Sequence, residues 1–314
     1  MMKRVILGFI VLVLLVAGTA LIPAEHPQGD EEVHLGFEAT GLYPVQSVSE
    51  IALGTALPKY PGQVTVYKTV DTTVSKDDAL KMAEKFGMSE PVEEYETSYV
   101  IKGSPYTFEI EKETGYMTYT WYGRWMGSNE RDRPEYLPTD EEARKIAETF
   151  LTSNDLMPDG AAYSSISHDR GAMLSAEGNE TVVADQDTTV LFTGRLSNLS
   201  VVGNGIYVTL GGDGDVLRVA KRWRDVEPYK EFAILSPEEA IGELKQTGVV
   251  TTVSSPKKAV VDEIKLCYYA TPPGTEQPYL KPTYYFHGTM EGENETGTFY
   301  QYIPAVPELG KGLY

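Results

Sequence analysis

The sequence predicts an α+β fold of repeated modules, each with one helix packed on an antiparallel β-sheet, behind an N-terminal signal peptide or membrane anchor. Three observations carry this. One helix-start pattern recurs three times. Alternating apolar and polar runs broken by turn residues follow each recurrence. A basic, then strongly apolar, segment opens the chain.

Lys3 and Arg4 precede the uncharged run Val5 to Ala17, and the small residues Gly18, Thr19 and Ala20 follow. A basic start, an apolar stretch and a small-residue cleavage site make up a secretory signal. Cleavage after Ala20 places Gly18 at the minus-three position, whereas cleavage after Ala24 would place Ile22 there. The alternative is an uncleaved anchor, because residues 5–22 carry no charge and a membrane span needs about 18 to 20 apolar residues. No Cys follows the apolar run, which excludes a lipoprotein anchor.

The chain has 314 residues and a formal net charge of -19. Removal of Lys3 and Arg4 with the leader takes two positive charges and no acid, leaving -21. Such a field repels phosphate backbones and anionic lipid, so no nucleic acid partner is expected, and the membrane is met only through residues 5–22 if they are uncleaved. The lone cysteine, Cys267, lies in an apolar run and has no second thiol to pair with, so it reads as a buried, inert thiol. Asn179, Asn198 and Asn294 each begin an Asn-x-Ser/Thr triplet, an acceptor pattern that matters in an exported chain.

Along the chain, residues 1–24 are the signal or anchor, and 25–57 mix acids, Gly and Pro into an irregular lead-in. The first helix-plus-sheet module spans 58–127, a second with an insertion spans 128–235, and a third spans 236–314. Ser75-Lys76-Asp77-Asp78-Ala79, Thr139-Asp140-Glu141-Glu142-Ala143 and Ser236-Pro237-Glu238-Glu239-Ala240 mark the helix starts. In each, the hydroxyl accepts from a first-turn amide that has no helical partner, and the acid three residues on reaches back while sitting well in the helix dipole. Pro237 suits the first helical position. Ala79, Met82, Ala83 and Phe86, then Ala143, Ile146, Ala147, Phe150 and Leu151, follow at helical spacing, giving each helix one face to bury. Gly87 and Gly248 stand where helices should stop.

Tyr106, Phe108 and Ile110, then Met117, Tyr119 and Trp121, alternate with polar residues around a turn at Gly115, which predicts a hairpin with one apolar face. Strands are predicted likewise at Gly205 to Leu210 and Val216 to Ala220, joined by a turn at Gly211 to Asp215. Further strands are expected at Val260 to Tyr269, Thr283 to Phe286 and Phe299 to Ile303.

A capped helix followed by a hairpin whose turn reads Glu111-Lys112-Glu113-Thr114-Gly115-Tyr116 resembles the PepSY family, whose modules close with an acid-x-x-Thr-Gly hairpin. Leu280-Lys281-Pro282-Thr283-Tyr284 leading to Tyr302-Ile303-Pro304-Ala305-Val306 is similar to the closing strands of exported regulators of the YycI type. The resemblance covers the chain in part, and the first module fits well. The second carries an insertion at about Asp155 to Asp187, and the third has Pro304 where the pattern has an acid. The resemblance implies noncatalytic α+β modules outside the cell that bind or restrain another protein, such as a peptidase or a sensor.

No residue is assigned a catalytic, cofactor-binding or metal role, and no cofactor is expected. His26 and His34 lack ligands at helical spacing. Ser165-Ile166-Ser167-His168-Asp169-Arg170 holds the residue types of a hydrolase triad, but neighbours in a loop cannot aim at one substrate, so it reads as a solvated loop. His287 reads as a sheet-edge residue. Gly211-Gly212-Asp213-Gly214-Asp215 is too short for an EF-hand and reads as a hairpin turn. Neither a P-loop nor a dinucleotide fingerprint is present. Trp121, Tyr122, Trp125 and Tyr136 form an aromatic cluster that either lines a groove for peptide or glycan or fills an interdomain core. The expected function is a noncatalytic exported cell-envelope protein with a protein partner, located outside the cell or in the envelope. The alternatives are a secreted hydrolase whose carboxylates assemble between modules, and a purely structural surface protein.

Overall fold

All three helix-start patterns form helices in the computed structural model of the chain, which describes residues 45–124, 136–174, 181–272 and 275–307, with only the strand path at 170–174 and 181–184. The helices are α1 (Lys76–Glu84), α2 (Asp140–Ser153) and α3 (Pro237–Thr247). Ser75, Thr139 and Ser236 each close a capping box with Asp78, Glu142 and Glu239. The backbone amides of the three caps donate to those carboxylates over 3.1, 3.0 and 2.7 Å. Hydrogen bonds to the ionised form hold all three carboxyls below their ordinary values. Ala79 and Ala83 of α1, and Ala143, Ala147 and Leu151 of α2, are buried, so the predicted faces are the packed ones.

The strands follow in chain order. Ahead of α1 come β1 (Val45–Gln46), β2 (Glu50–Leu53) and β3 (Gln63–Thr69). After α1 come β4 (Val92–Glu94), β5 (Ser98–Lys102), β6 (Tyr106–Glu111) and β7 (Met117–Trp121). After α2 come β8 (Ala161–Leu174), β9 (Thr181–Leu196), β10 (Leu199–Leu210), β11 (Val216–Arg222) and β12 (Val226–Ala233). After α3 come β13 (Val249–Thr251), β14 (Lys258–Tyr269), β15 (Tyr279–Glu291) and β16 (Thr296–Pro304).

The expected arrangement of repeated PepSY-like helix-on-sheet modules is wrong. These strands hydrogen-bond into one mixed sheet of sixteen, whose main path runs β1-β13-β16-β15-β14-β10-β11-β7-β6-β5-β4. Three junctions create it. β11 pairs antiparallel with β7, with Val219 opposite Tyr119. β10 pairs parallel with β14 through Val201 and Val202 against Tyr268 and Tyr269. β3 joins both β12 and the start of β15. The cause is edge chemistry: a strand ending one helix-plus-strand run presents unpaired N–H and C=O groups, which a neighbouring run satisfies. Residue periodicity reports which face is apolar, and says nothing about which strand lies alongside.

Two stretches set apart in the sequence also join the sheet. The insertion expected at about Asp155 to Asp187 is largely the long hairpin of β8 and β9, whose polar residues fit a sheet edge. The expected lead-in at 25–57 contributes β1 and β2, and β2 lies parallel to β14. All described residues belong to one compact unit spanning His34–Tyr314.

The core has two large parts and one small one. One part lies between α1, α2 and the sheet, and centres on Phe108, Leu151, Phe192, Ile206 and Val219. The other lies under α3, around Leu244, Val261, Tyr284, Phe286 and Phe299. The small one, Tyr67, Val201, Tyr268, Ala270 and Leu280, lies beside a kink in β10, where Gly203 has φ +88 and the β9–β10 register shifts between Val201 and Gly205.

Candidate binding cleft

A cleft of about 440 Å³ opens beside that kink. Four pieces of chain wall it: the loop from Asp155 to Asp159 after α2, the end of β9 from Gly194 to Leu196, Val201 and Asn204 of β10, and Lys221 with Trp223 to Val226 where β11 runs into β12.

The loop is set by how α2 ends. The Asn154 side chain donates to the Phe150 carbonyl at 2.8 Å, Asp155 takes φ +52, and the Leu156 amide returns to the Leu151 carbonyl at 2.8 Å. Leu156 is thereby driven into the core. Lys85, at the end of α1, donates to both the Asp155 carbonyl at 2.7 Å and its carboxylate at 2.9 Å. That bond holds the Asp155 carboxyl below its ordinary value, so it is ionised at neutral pH.

The opposite wall is equally tied. Asn204 is buried and accepts from the Arg224 amide at 3.3 Å. The Arg224 guanidinium donates to the Tyr116 hydroxyl at 3.0 Å and to the Thr275 carbonyl at 2.8 Å. Burial pushes the Tyr116 phenol up, and Arg224 opposes that shift. Trp223 leans on the core beneath α1 and α2, over the bare Cα of Gly194; a Cβ there would come within 3.3 Å of the indole.

Lys221 is the unusual member. It stands opposite Ile206 on β10 and Met117 on β7, and Ile206 in turn stands opposite Phe192 on β9. Directly paired residues share a face, so Lys221 occupies a core-facing position in a row of Phe192, Ile206 and Met117, all buried. Its stem packs and its ammonium reaches into the cleft, as long amphipathic side chains do. Burial lowers its pKa, Asp225 opposes this, Lys85 adds to it and Asp155 opposes it. None of these acids lies within ion-pair distance.

The residues singled out from sequence fall elsewhere. Ser165 to Arg170 is part of β8 and not a loop. His168 Nε2 is 3.0 Å from Asp140 Oδ1, and its Nδ1 is 3.2 Å from Thr188 Oγ1. The imidazole ties β8 to the start of α2, and the neighbouring residues alternate across the strand. His287 is no edge residue: it sits inside β15 between Glu263 of β14 and Tyr300 of β16. Gly211 to Asp215 is the turn joining β10 to β11, with Asp213 at φ 60. Arg124 lies over Trp121 at 4.9 Å and pairs with Asp215. Tyr122 and Tyr136 are exposed and share no ring contact with Trp121 among the described residues, and Trp125 lies outside them. Asn198 and Asn294 stand in exposed turns. Asn179, His26, His34 and the leader lie outside the described residues.

Among the described residues, no group of three or more His, Cys, Asp or Glu is placed to hold a metal ion, and no helix is long and apolar enough to cross a membrane. The cleft was missed in sequence because its walls come from four separated stretches. One signal was present: Lys221 continues the core phase of Val219, where an apolar residue is expected.

No family model matches the chain, and no curated protein does. It is similar to the crystal structure of an uncharacterized protein from Eubacterium rectale, at 14% identity over 82% of this chain and 88% of that chain, with a TM-score of 0.48.

Proposed function

We propose that this chain is a noncatalytic exported protein of the cell envelope that binds and modulates a partner protein, and that the cleft beside β10 is where it does so. The observation that carries this is a cleft whose polar walls are already fastened by Lys85–Asp155, Asn204–Arg224 and Arg224–Tyr116. Fastened walls keep their shape without a ligand, which lowers the ordering cost of recognition.

Two of the sheet edges, β12 and β8, are poorer candidates. Among the described residues β12 pairs only with β3, but it carries Pro228, Lys230 and a bulge between them. Among the described residues β8 likewise pairs only with β9, and it is bulged twice. Prolines, lysines and bulges are the devices that keep edges from taking another strand.

The hydrolase reading draws on Asp155, Asp159 and Asp225, which line the cleft from two walls. A general acid needs a raised carboxyl pKa, whereas Lys85 lowers that of Asp155. The test is recovery of partners from envelope extract by the chain and by its Trp223→Ala variant, read by mass spectrometry. A stoichiometric partner lost in the variant supports the binding role. A partner retained by the variant, or none recovered by either, refutes it. Export is tested on the same material: a mature chain beginning at Leu21 supports release, and an intact amino terminus in membrane fractions refutes it.

A further inference from the structure

We infer that the cleft recognises a carboxylate on an extended segment of the partner, held by Lys221 and Arg195 beside the Trp223 indole. This rests on the cleft being the recognition site.

Charge is the first argument. The cleft lining holds three cations, Arg195, Lys221 and Arg224, and three carboxylates, Asp155, Asp159 and Asp225. Lys85, from outside the lining, already neutralises Asp155. The lining itself is balanced in charge, and only the Lys85 pair tips it positive, within a chain of net charge -19. A concave site free of the negative excess carried by the rest of the surface admits an anion that the rest repels.

Position is the second. Lys221 spends a core-facing place in the row of Phe192, Ile206 and Met117 on an ammonium that makes no ion pair or hydrogen bond among the described residues. An apolar residue there would bury more favourably. A ligand carboxylate arriving from the mouth supplies the missing partner in a partly desolvated setting, where a charge-assisted hydrogen bond is strong. Arg195, on the strand end across the cleft, is exposed. Trp223, with Met157 opposite, offers apolar surface to the rest of the segment.

A segment can present either its C-terminal carboxylate or an acidic side chain, and the chemistry at Lys221 is the same. The chain contains only three tryptophans, so indole labelling with ¹⁵N gives three resonances, and Trp223→Phe identifies that of Trp223. The full chain is titrated with N-acetyl-leucine, with N-acetyl-glutamic acid α-amide, and with neutral N-acetyl-leucinamide. The Trp223 resonance is expected to shift saturably with one or both acids and at least tenfold more weakly with the neutral amide. The acid that binds more tightly names the source. Lys221→Met is expected to weaken acid binding at least tenfold, and Lys221→Arg to retain it, with the other two indole resonances in place as evidence of folding. Equal response to the neutral amide, no response to either acid, or unchanged binding by Lys221→Met overturns the inference. If Lys221→Met still captures a partner that Trp223→Ala loses, the binding role stands and the carboxylate falls. If no partner is captured but the acids bind as stated, the carboxylate site stands without that role.

Discussion

Replacing Gly203 by alanine tests the junction on which the sheet depends. Gly203 sits in β10 with φ +88, and a Cβ built on it would lie 2.1 Å from the Ala270 carbonyl oxygen. That oxygen belongs to backbone, so no rotamer change relieves the clash. Either β10 or the chain leaving β14 must move. Positive φ alone costs an L-residue about 1 to 2 kcal/mol. Separation also breaks the 2.8 Å bond from the Ala270 amide to the Val202 carbonyl, worth about 1 kcal/mol net. It further loosens Tyr268 and Ala270, both nearly inaccessible, at about 1 to 2 kcal/mol for imperfect packing. The expected loss is about 4 kcal/mol, measured by urea unfolding followed by fluorescence. Gly242→Ala is the control, since nothing lies within 4 Å of a Cβ there; an interior helix position gains about 0.5 to 1 kcal/mol from the same change. A Gly203→Ala loss below about 1 kcal/mol would refute the view that close backbone approach at this glycine holds β10 against β14.

Lys221→Met is expected to raise stability by about 1 kcal/mol at pH 7, because a desolvated charge is exchanged for an apolar chain of similar length. Burial lowers the Lys221 pKa, so the folded chain loses this proton before the unfolded chain does. The penalty is complete below the folded pKa, shrinks as pH rises from there to the unfolded value of about 10.4, and is gone above it. The gap between variant and wild type should therefore narrow in melts at alkaline pH, and a widening gap would refute the assignment. Thr139→Ala removes one capping box and should cost about 1 kcal/mol by denaturant unfolding, with Thr139→Asp retaining most of it. Glu142 is held low by Thr139, so its contribution is present above the unfolded carboxyl pKa and lost as pH falls through the folded one. A Glu142→Gln difference that persists at strongly acid pH would contradict this. The Cys267 thiol is fully buried and pushed up to about 12. It should ignore a thiol reagent at pH 8 until the chain unfolds, and labelling of native protein within minutes would show that β14 opens.

Much of the local structure was legible because its causes are local. A hydroxyl and an acid three residues apart cap a helix whatever lies beyond, and Ser75, Thr139 and Ser236 do so. The hairpin from Tyr106 to Trp121 follows from alternation and a turn, with Phe108 opposite Tyr119. The errors arose where a residue's role depended on a distant strand. Ser165 to Arg170 is polar enough for a loop, yet it is strand because β9 pairs with it. His287 looked terminal because the apolar run stops there, yet the ladder continues past it on both sides.

The sequence by itself determined the basic-then-apolar opening segment, the acidity, the unpaired cysteine, the three capped helices and several of the strands. These depend on composition and on contacts within a few residues. Only the tertiary structure decided that the strands form one mixed sheet and that a core-facing lysine opens into a cleft. Hydrogen bonds between edge strands, such as β7 with β11 and β10 with β14, join residues some 70 to 100 positions apart. Backbone groups that every residue shares leave no mark in the order of side chains.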